Sequence, residues 1–274
     1  MSIDWKSAPQ GQIEVDGAAL EYRCLGPAPV EAPTLFLLHE GLGSVAQCKD
    51  VPERLAAVTG FGVFAYSRAG YGGSSAANLP RPLDFQTREA LDVLGPVLDA
   101  AGIRQTVLLG HSDGATIAAI YAGSVSDMRV RGLILIAPHF FTEPQGLSAI
   151  AAAKLAYVGG DLKPKLARYH RDPDMAFYGW HDVWTDPAYA AWNVADVIDH
   201  WRIPVLAIQG RNDPYGSLAQ ITEIEDRIYS PVETLILDGC GHAPQFECAA
   251  QTDAAIAEFC ARLHRLEQQQ VAFA

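Results

Sequence analysis

No apolar run in this sequence approaches the ~20 residues that a helix needs to cross a bilayer. LFLLH at 35–39 and GLILIAP at 132–138 are strand-length and end in polar, glycine or proline residues. A membrane is therefore not an expected partner. Basic residues are scarce too: 20 Lys and Arg stand against 32 Asp and Glu, a formal net charge of -12. Phosphate backbones are bound by clustered cations that release counterions, so nucleic acid is not expected either. Cys24, Cys48, Cys240, Cys248 and Cys260 form an odd set with no CxxC spacing, which suits reduced thiols better than a disulfide framework or a zinc site. The opening MSIDWKSAPQ lacks a basic segment followed by an apolar run and a small-residue cleavage site, so a cytoplasmic location is expected. There is no internal repeat. The one short biased stretch, EQQQVAFA at 267–274, is expected to fray.

What is present is an alternation of strand and helix patterns within 274 residues, a length that fits one large α/β domain with an insertion. Segments 11–15 and 18–24 flank Asp16-Gly17, a dipeptide that favours a tight hairpin turn. Apolar runs at 34–38, 62–67 and 106–109 read as buried strands, 132–137 makes the next strand, and the strand pattern resumes at 204–209 and 233–237. Helical spacing is seen over 51–59, 85–101, 115–122 and 252–266. The pattern predicts a mostly parallel central sheet with helices on both faces. From Pro138 to Trp201 it breaks, and Pro, Trp, Tyr, His and Phe accumulate. Residues 1–137 and 202–274 are accordingly assigned to a core domain, and 138–201 to a small inserted helical cap.

The chemistry is concentrated where strands end. In Gly110-His111-Ser112-Asp113-Gly114 a serine stands between two glycines at a strand-to-helix junction, the pattern of a nucleophile elbow. The sharp turn brings the residues two before and two after the serine together, so both must be small. An N-capping serine in a plain glycine turn is the bland alternative. A serine hydroxyl needs a base to take its proton, and His242, in the glycine loop after the last strand, meets that demand. An acid must hold that histidine in the right tautomer. Asp213, after the strand at 204–209, gives the chain order Ser, Asp, His; Asp238 is the rival, better placed to cap a turn. The oxyanion formed on attack needs backbone donors, and the N–H groups of Asp113 and of Gly41, in the loop His39-Glu40-Gly41-Leu42-Gly43-Ser44, are the candidates. Glu40 is unusual there and is expected to point away. If His242 is the base, kcat/KM should rise with pH through the ordinary imidazole value near ~6.5.

Taken together, these loops resemble the α/β-hydrolase superfamily over nearly the whole chain, and more narrowly its capped bacterial esterases, enol-lactonases and carbon–carbon bond hydrolases. The resemblance implies the α/β-hydrolase fold, with Ser112, Asp213 and His242 on the triad positions and Gly41 and Asp113 on the oxyanion positions. Two residues depart from the pattern: Glu40 stands where many relatives have glycine, and Ser67 in YSRAGYGGSS where many have aspartate. The segment 138–201 falls where relatives insert a lid. His139, Phe140, Trp180 and Trp184 are the expected pocket residues, while rings such as Tyr157, Phe177 and Trp192 could equally pack the cap onto the core. The expected activity is hydrolysis of a small, largely apolar ester, lactone or thioester through an acyl-enzyme, without metal or organic cofactor. Carbon–carbon bond hydrolysis and haloperoxidase-type perhydrolysis are alternatives, as is a non-catalytic small-molecule receptor. A homo-oligomer is compatible with the sequence.

Overall fold

The computed structural model describes residues 3–271. Strands β1 (Gln10–Val15), β2 (Ala18–Leu25), β3 (Thr34–Leu38), β4 (Gly62–Tyr66), β5 (Thr106–His111), β6 (Val130–Ile136), β7 (Val205–Gly210) and β8 (Val232–Leu237) form one eight-stranded sheet, in the order β1-β2-β4-β3-β5-β6-β7-β8. β1 and β2 make the antiparallel hairpin predicted at Asp16-Gly17, whose turn residues both have positive φ, 48° and 81°. β2 also meets β4 antiparallel, and every later pairing is parallel.

The continuous apolar runs have a direct cause. Phe36 and Leu38 of β3, Leu108 of β5, Leu133 and Leu135 of β6 and Val205 and Ala207 of β7 enter one core. Their neighbours Leu35, Leu37, Val107, Leu109, Ile134, Ile136, Leu206 and Ile208 enter the other. Successive side chains leave a strand on opposite faces, so two covered faces demand an unbroken apolar string. The first face is covered by α4 (Asp113–Ser124) and by the helix at 85–100, the second by α1 (Val51–Thr59) and α10 (Ala249–Val271), with α8 (Ala219–Arg227) and the short α9 (Pro244–Glu247) between β7 and α10 in the chain. The helix at 85–100 is α2 (Phe85–Arg88), a π-helical stretch Glu89–Leu94 and α3 (Gly95–Ala100). Pro96 has no N–H to continue the ladder, and the chain widens in the turn before it.

Two expectations change, one at the edge of the insert and one at the C-terminal end. Segment 138–201 holds α5 (Pro144–Gly159), α6 (Leu162–Leu166), α7 (Pro173–Trp184) and 3₁₀ turns at Pro187–Ala191 and Ala195–His200, with its own apolar cluster around Tyr157, Phe177, Trp184 and Tyr189. Its last residues, however, lie in the main core: Ala195, Ile198 and Trp201 are buried against the α4 face. Gly123 of α4 makes room for them, since a Cβ there would stand 2.3 Å from the Val197 carbonyl. At the other end, α10 runs through Val271, so EQQQV continues a helix instead of fraying. Glu267 anchors it through Arg131 at 2.6 Å. Residues 272–274 lie outside the described residues. Among the described residues no helix is long and apolar enough to cross a membrane.

Trp201 is fully buried, with its indole N–H donating to the Ala119 carbonyl of α4 at 2.9 Å. Trp201→Ala removes that volume and the indole hydrogen bond, and should lower the free energy of unfolding by about 3–5 kcal/mol. Urea denaturation of both proteins checks this; a loss below about 1 kcal/mol would show that the 195–201 turn is peripheral.

Candidate active site

The sheet changes direction of growth at β3: β4 lies on one side of it and β5 on the other. The carboxyl ends of β3 and β5 therefore meet, with Leu38 opposite Gly110, and crevices at such points are where α/β sheets bind ligands. Ser112 occupies the junction between β5 and α4 with φ 53° and ψ -119°, a backbone state that L-residues rarely hold unless the surroundings impose it. Those surroundings are backbone. A Cβ on Gly114 would stand 2.1 Å from the Leu38 carbonyl oxygen, and one on Gly110 would stand 2.3 Å from the Gly114 carbonyl oxygen.

His242 and Asp213 are brought together as the sequence predicts. His242 Nδ1 donates to Asp213 Oδ2 at 2.7 Å. The same oxygen accepts from Gln209 Nε2 at 2.8 Å, and Oδ1 accepts from the Tyr215 amide at 2.8 Å. Burial works to raise the Asp213 carboxyl, but these hydrogen bonds and the charge of His242 hold it below its ordinary value. Gly210 permits the loops to touch, because a Cβ there would stand 2.0 Å from the Gly241 carbonyl oxygen. Asp238 is elsewhere: its side chain is 85% exposed and accepts from Arg211 Nε at 2.6 Å. Burial lowers the His242 imidazole more than Asp213 and Glu40 raise it, so it titrates below the ordinary value.

The loop that carries Gly41 is tied back through its carbonyls. Arg68 Nη1 donates to His39 O at 2.6 Å and Nη2 to Glu40 O at 3.0 Å. His39 Nδ1 donates to Glu40 O at 2.7 Å, while its Nε2 accepts from the Arg68 amide. His170 Nε2 holds Leu42 O at 2.9 Å, its Nδ1 accepting from the Gly72 amide. Gly41 and Asp113 both border the cavity that Ser112 and His242 line. The Trp180 indole lies on Gly41 so closely that a Cβ there would stand 2.2 Å from Nε1. The Asp113 carboxyl accepts from Gln86 Nε2 at 3.1 Å, and Tyr189 in turn donates to Gln86 Oε1. Burial raises it to about 6, against the pull of Arg68, Trp184, Arg81 and Gln86.

The cavity measures about 200 Å³. His139, Trp180 and Trp184 line it as expected. Phe140 does not: it is fully buried in the sheet core against Trp201, and its neighbour Phe141 faces the cavity instead. After the strand end, the Gln220 side chain holds Phe140 N and Phe141 O at 2.7 and 3.0 Å, and this fixes which ring turns inward. Tyr157 and Phe177 stack on each other at 3.8 Å and build the insert rather than the cavity wall. Sequence reasoning missed Tyr215, whose ring lies 4.7 Å from that of His242, and Glu143, whose carboxylate accepts from Ser217 and Gln220 at the cavity edge. Ser67 bridges the Val45 amide and Glu21 as a structural hydrogen bond. Glu40 turns its carboxylate toward His111, on the side of the loop that closes over Gly43.

Residues 35–255 match the alpha/beta hydrolase family. The chain belongs to that family. Proline iminopeptidase from Lactobacillus delbrueckii subsp. lactis is 29% identical over 224 residues, 78% of this chain and 69% of that protein. The enol-lactonase from Burkholderia xenovorans LB400 shares the alpha/beta hydrolase fold with a TM-score of 0.71 at 20% identity, over 92% of this chain and 100% of that one. An esterase from Rhodococcus sp. ECU1013 does so with a TM-score of 0.68 at 22% identity, over 93% and 99%.

If His242 must be neutral to act, kcat/KM will rise with pH through an apparent value below the ~6.5 of a free imidazole and level off above it. A midpoint at or above ~6.5 in the pH profile would contradict the burial of this ring. In the same assay Asp213→Asn should lose at least about 100-fold in kcat, since it leaves His242 in the wrong tautomer, while Asp238→Asn stays within about 2-fold.

Proposed function

We infer that the protein is a serine hydrolase that cleaves small carboxylic esters, lactones or thioesters through an acyl-enzyme. The observation that carries this reading is the Asp213–His242 hydrogen bond beside a strained Ser112 on one small cavity. Asp213 fixes the Nδ1–H tautomer and leaves Nε2 of His242 to take the Ser112 proton. Ser112 Oγ then attacks the carbonyl carbon, and the oxyanion is met by the N–H groups of Gly41 and Asp113, the latter at the positive end of α4. The imidazolium returns its proton to the leaving oxygen or sulfur. Water, activated by the same imidazole, releases the acid. The chemistry calls on no metal or organic cofactor, and segment 138–194 serves as the cap that keeps water from the acyl-enzyme.

Size and charge of the cavity support the substrate class. About 200 Å³ walled by Trp180, Trp184, Phe141, Leu147 and Ile150 suits a short acyl group and not a long chain. Glu40, Asp113 and Glu143 border it, and no Lys or Arg stands among the described residues that do. An anionic substrate therefore meets only like charge, while a neutral or cationic one does not. This second feature also favours amide cleavage beside a free amino group, in line with the relatives named proline iminopeptidase.

Ser112→Ala should keep its fold and lose at least about 1000-fold in kcat, because only binding and oxyanion stabilisation remain. In a p-nitrophenyl ester series from acetate to palmitate, kcat/KM should peak at short chains, and p-nitrophenyl hemisuccinate should fall at least about 10-fold below its neutral isostere. A palmitate maximum would overturn the size argument, and an equal rate on the hemisuccinate the charge argument. Turnover of proline p-nitroanilide above that of every ester would move the assignment to the peptidase reading.

A further inference from the structure

The catalytic reading leaves two residues around Ser112 and His242 without a role: His111, the residue before the serine, and Glu40, the departure in the Gly41 loop. The structure joins them. His111 Nε2 stands 2.7 Å from the main-chain carbonyl oxygen of His242. A carbonyl only accepts, so Nε2 carries a hydrogen and donates it. On its other side, His111 Nδ1 meets Gln245 Nε2 at 3.0 Å and Glu40 Oε2 at 3.7 Å. The His111 and His242 rings lie 5.0 Å apart, and His111 is buried. Glu40 itself is fixed through its carbonyl by Arg68 and His39.

We propose that His111 and Glu40 form a positioning unit in which His111 ties the Ser112 elbow to the His242 loop and the Glu40 carboxylate of the Gly41 loop sets the charge beside both rings. Asp213 orients the His242 ring about its own bonds, but it cannot fix where the main chain of the histidine loop stands relative to the serine. The loop is rich in glycine, Gly239 and Gly241; Glu247 holds its Gly241 and Ala243 amides and the Asn212 amide its Cys240 carbonyl, but none of these is an anchor on the Ser112 elbow. His111 supplies one from the residue bonded to Ser112, so the distance between nucleophile and base is set across a single short path. Gln245 holds the far side of the His111 ring by donating to Nδ1, and the Glu40 carboxylate, 3.7 Å from that nitrogen, adds to the field at His242 and raises that imidazole against the effect of burial. The charged and titratable groups facing His242 are thus Glu40 from the Gly41 loop, His111 from the elbow, His139 after β6, and Asp213 and Tyr215 after β7. Attack geometry is sensitive to displacements of this kind, at about 100-fold per Å. The cost of losing the anchor should therefore appear in the chemical step and not in substrate binding.

This inference rests on Ser112 and His242 being nucleophile and base, and one experiment tests both. The rate of covalent labelling of Ser112 by a fluorophosphonate is measured against pH for wild type, His111→Leu, His111→Gln and Glu40→Gln. The thermal midpoint of each is measured as well, with kcat and KM on p-nitrophenyl acetate. His111→Leu should label at least about 10-fold more slowly, with KM within about 3-fold of wild type. His111→Gln retains an amide N–H able to reach His242 O and should recover most of that loss. Glu40→Gln should move the acid limb of the labelling profile to lower pH, because the carboxylate that raises His242 is gone. An unlabelled wild type overturns the serine hydrolase reading and this inference with it. A labelled wild type with folded His111→Leu equally fast, or with His111→Gln as slow as His111→Leu, overturns the positioning role alone. If His111→Leu does not fold, the Glu40→Gln profile decides, and an unmoved acid limb overturns the unit.

Discussion

The backbone contact between Gly114 and the Leu38 carbonyl governs the rest of the site. It lets the end of β5 turn into α4 directly against the end of β3, with no side chain between them. Ser112 is forced into its left-handed backbone state by that approach, and the first amides of α4 are brought beside the loop that carries Gly41. A Cβ at 114 would push the start of α4 off the end of β3, and one at 110 would push it off the end of β5, so that serine, helix terminus and loop would separate. A strain of about 1–3 kcal/mol at one residue is held by an eight-stranded sheet with cores on both faces.

Around this contact the electrostatics suit the proposed reading, in which one imidazole does the proton work. His39 and His139 are buried and held neutral, His39 well below the ordinary value and His139 down to about 3, with burial the main cause in each. Neither competes with His242 for a proton in the working range. Asp213 is the opposite case, a buried carboxylate kept ionised by three donors aimed at it. The Glu40 carboxyl, which burial would raise, is brought down to about 2 by His111 and His39. Charge is therefore present where it is paired and absent where it is not.

Much of this is legible in the sequence. The central strands β3, β4, β5, β6 and β7 are readable because each is covered twice, and an unbroken apolar string of five residues between turn signals fits little besides a buried strand. Ser112, His242 and Asp213 are readable because glycines mark the turns that present them. The cavity wall is less legible, for physical reasons. Whether Phe140 or Phe141 faces inward depends on Gln220, eighty residues away in the chain, and no local periodicity survives past the end of a strand. Trp201 reads as one more aromatic in a region full of them, while its burial depends on the small residues of a helix far upstream. Glu40 reads as a side chain that turns from the site, and its carboxylate instead finds His111, a pairing between two loops that sequence spacing does not reveal.

The Trp180 indole resting on Gly41 also bears on how the pocket could evolve. Position 41 cannot grow without displacing the indole, and the indole cannot shrink without uncovering the loop beneath it. Drift at either position is coupled to drift at the other. The α5 wall is freer: Leu147 and Ile150 line the cavity, and most of the helix around them is exposed. The cavity can therefore be reshaped through α5 at less cost than through the Gly41 side.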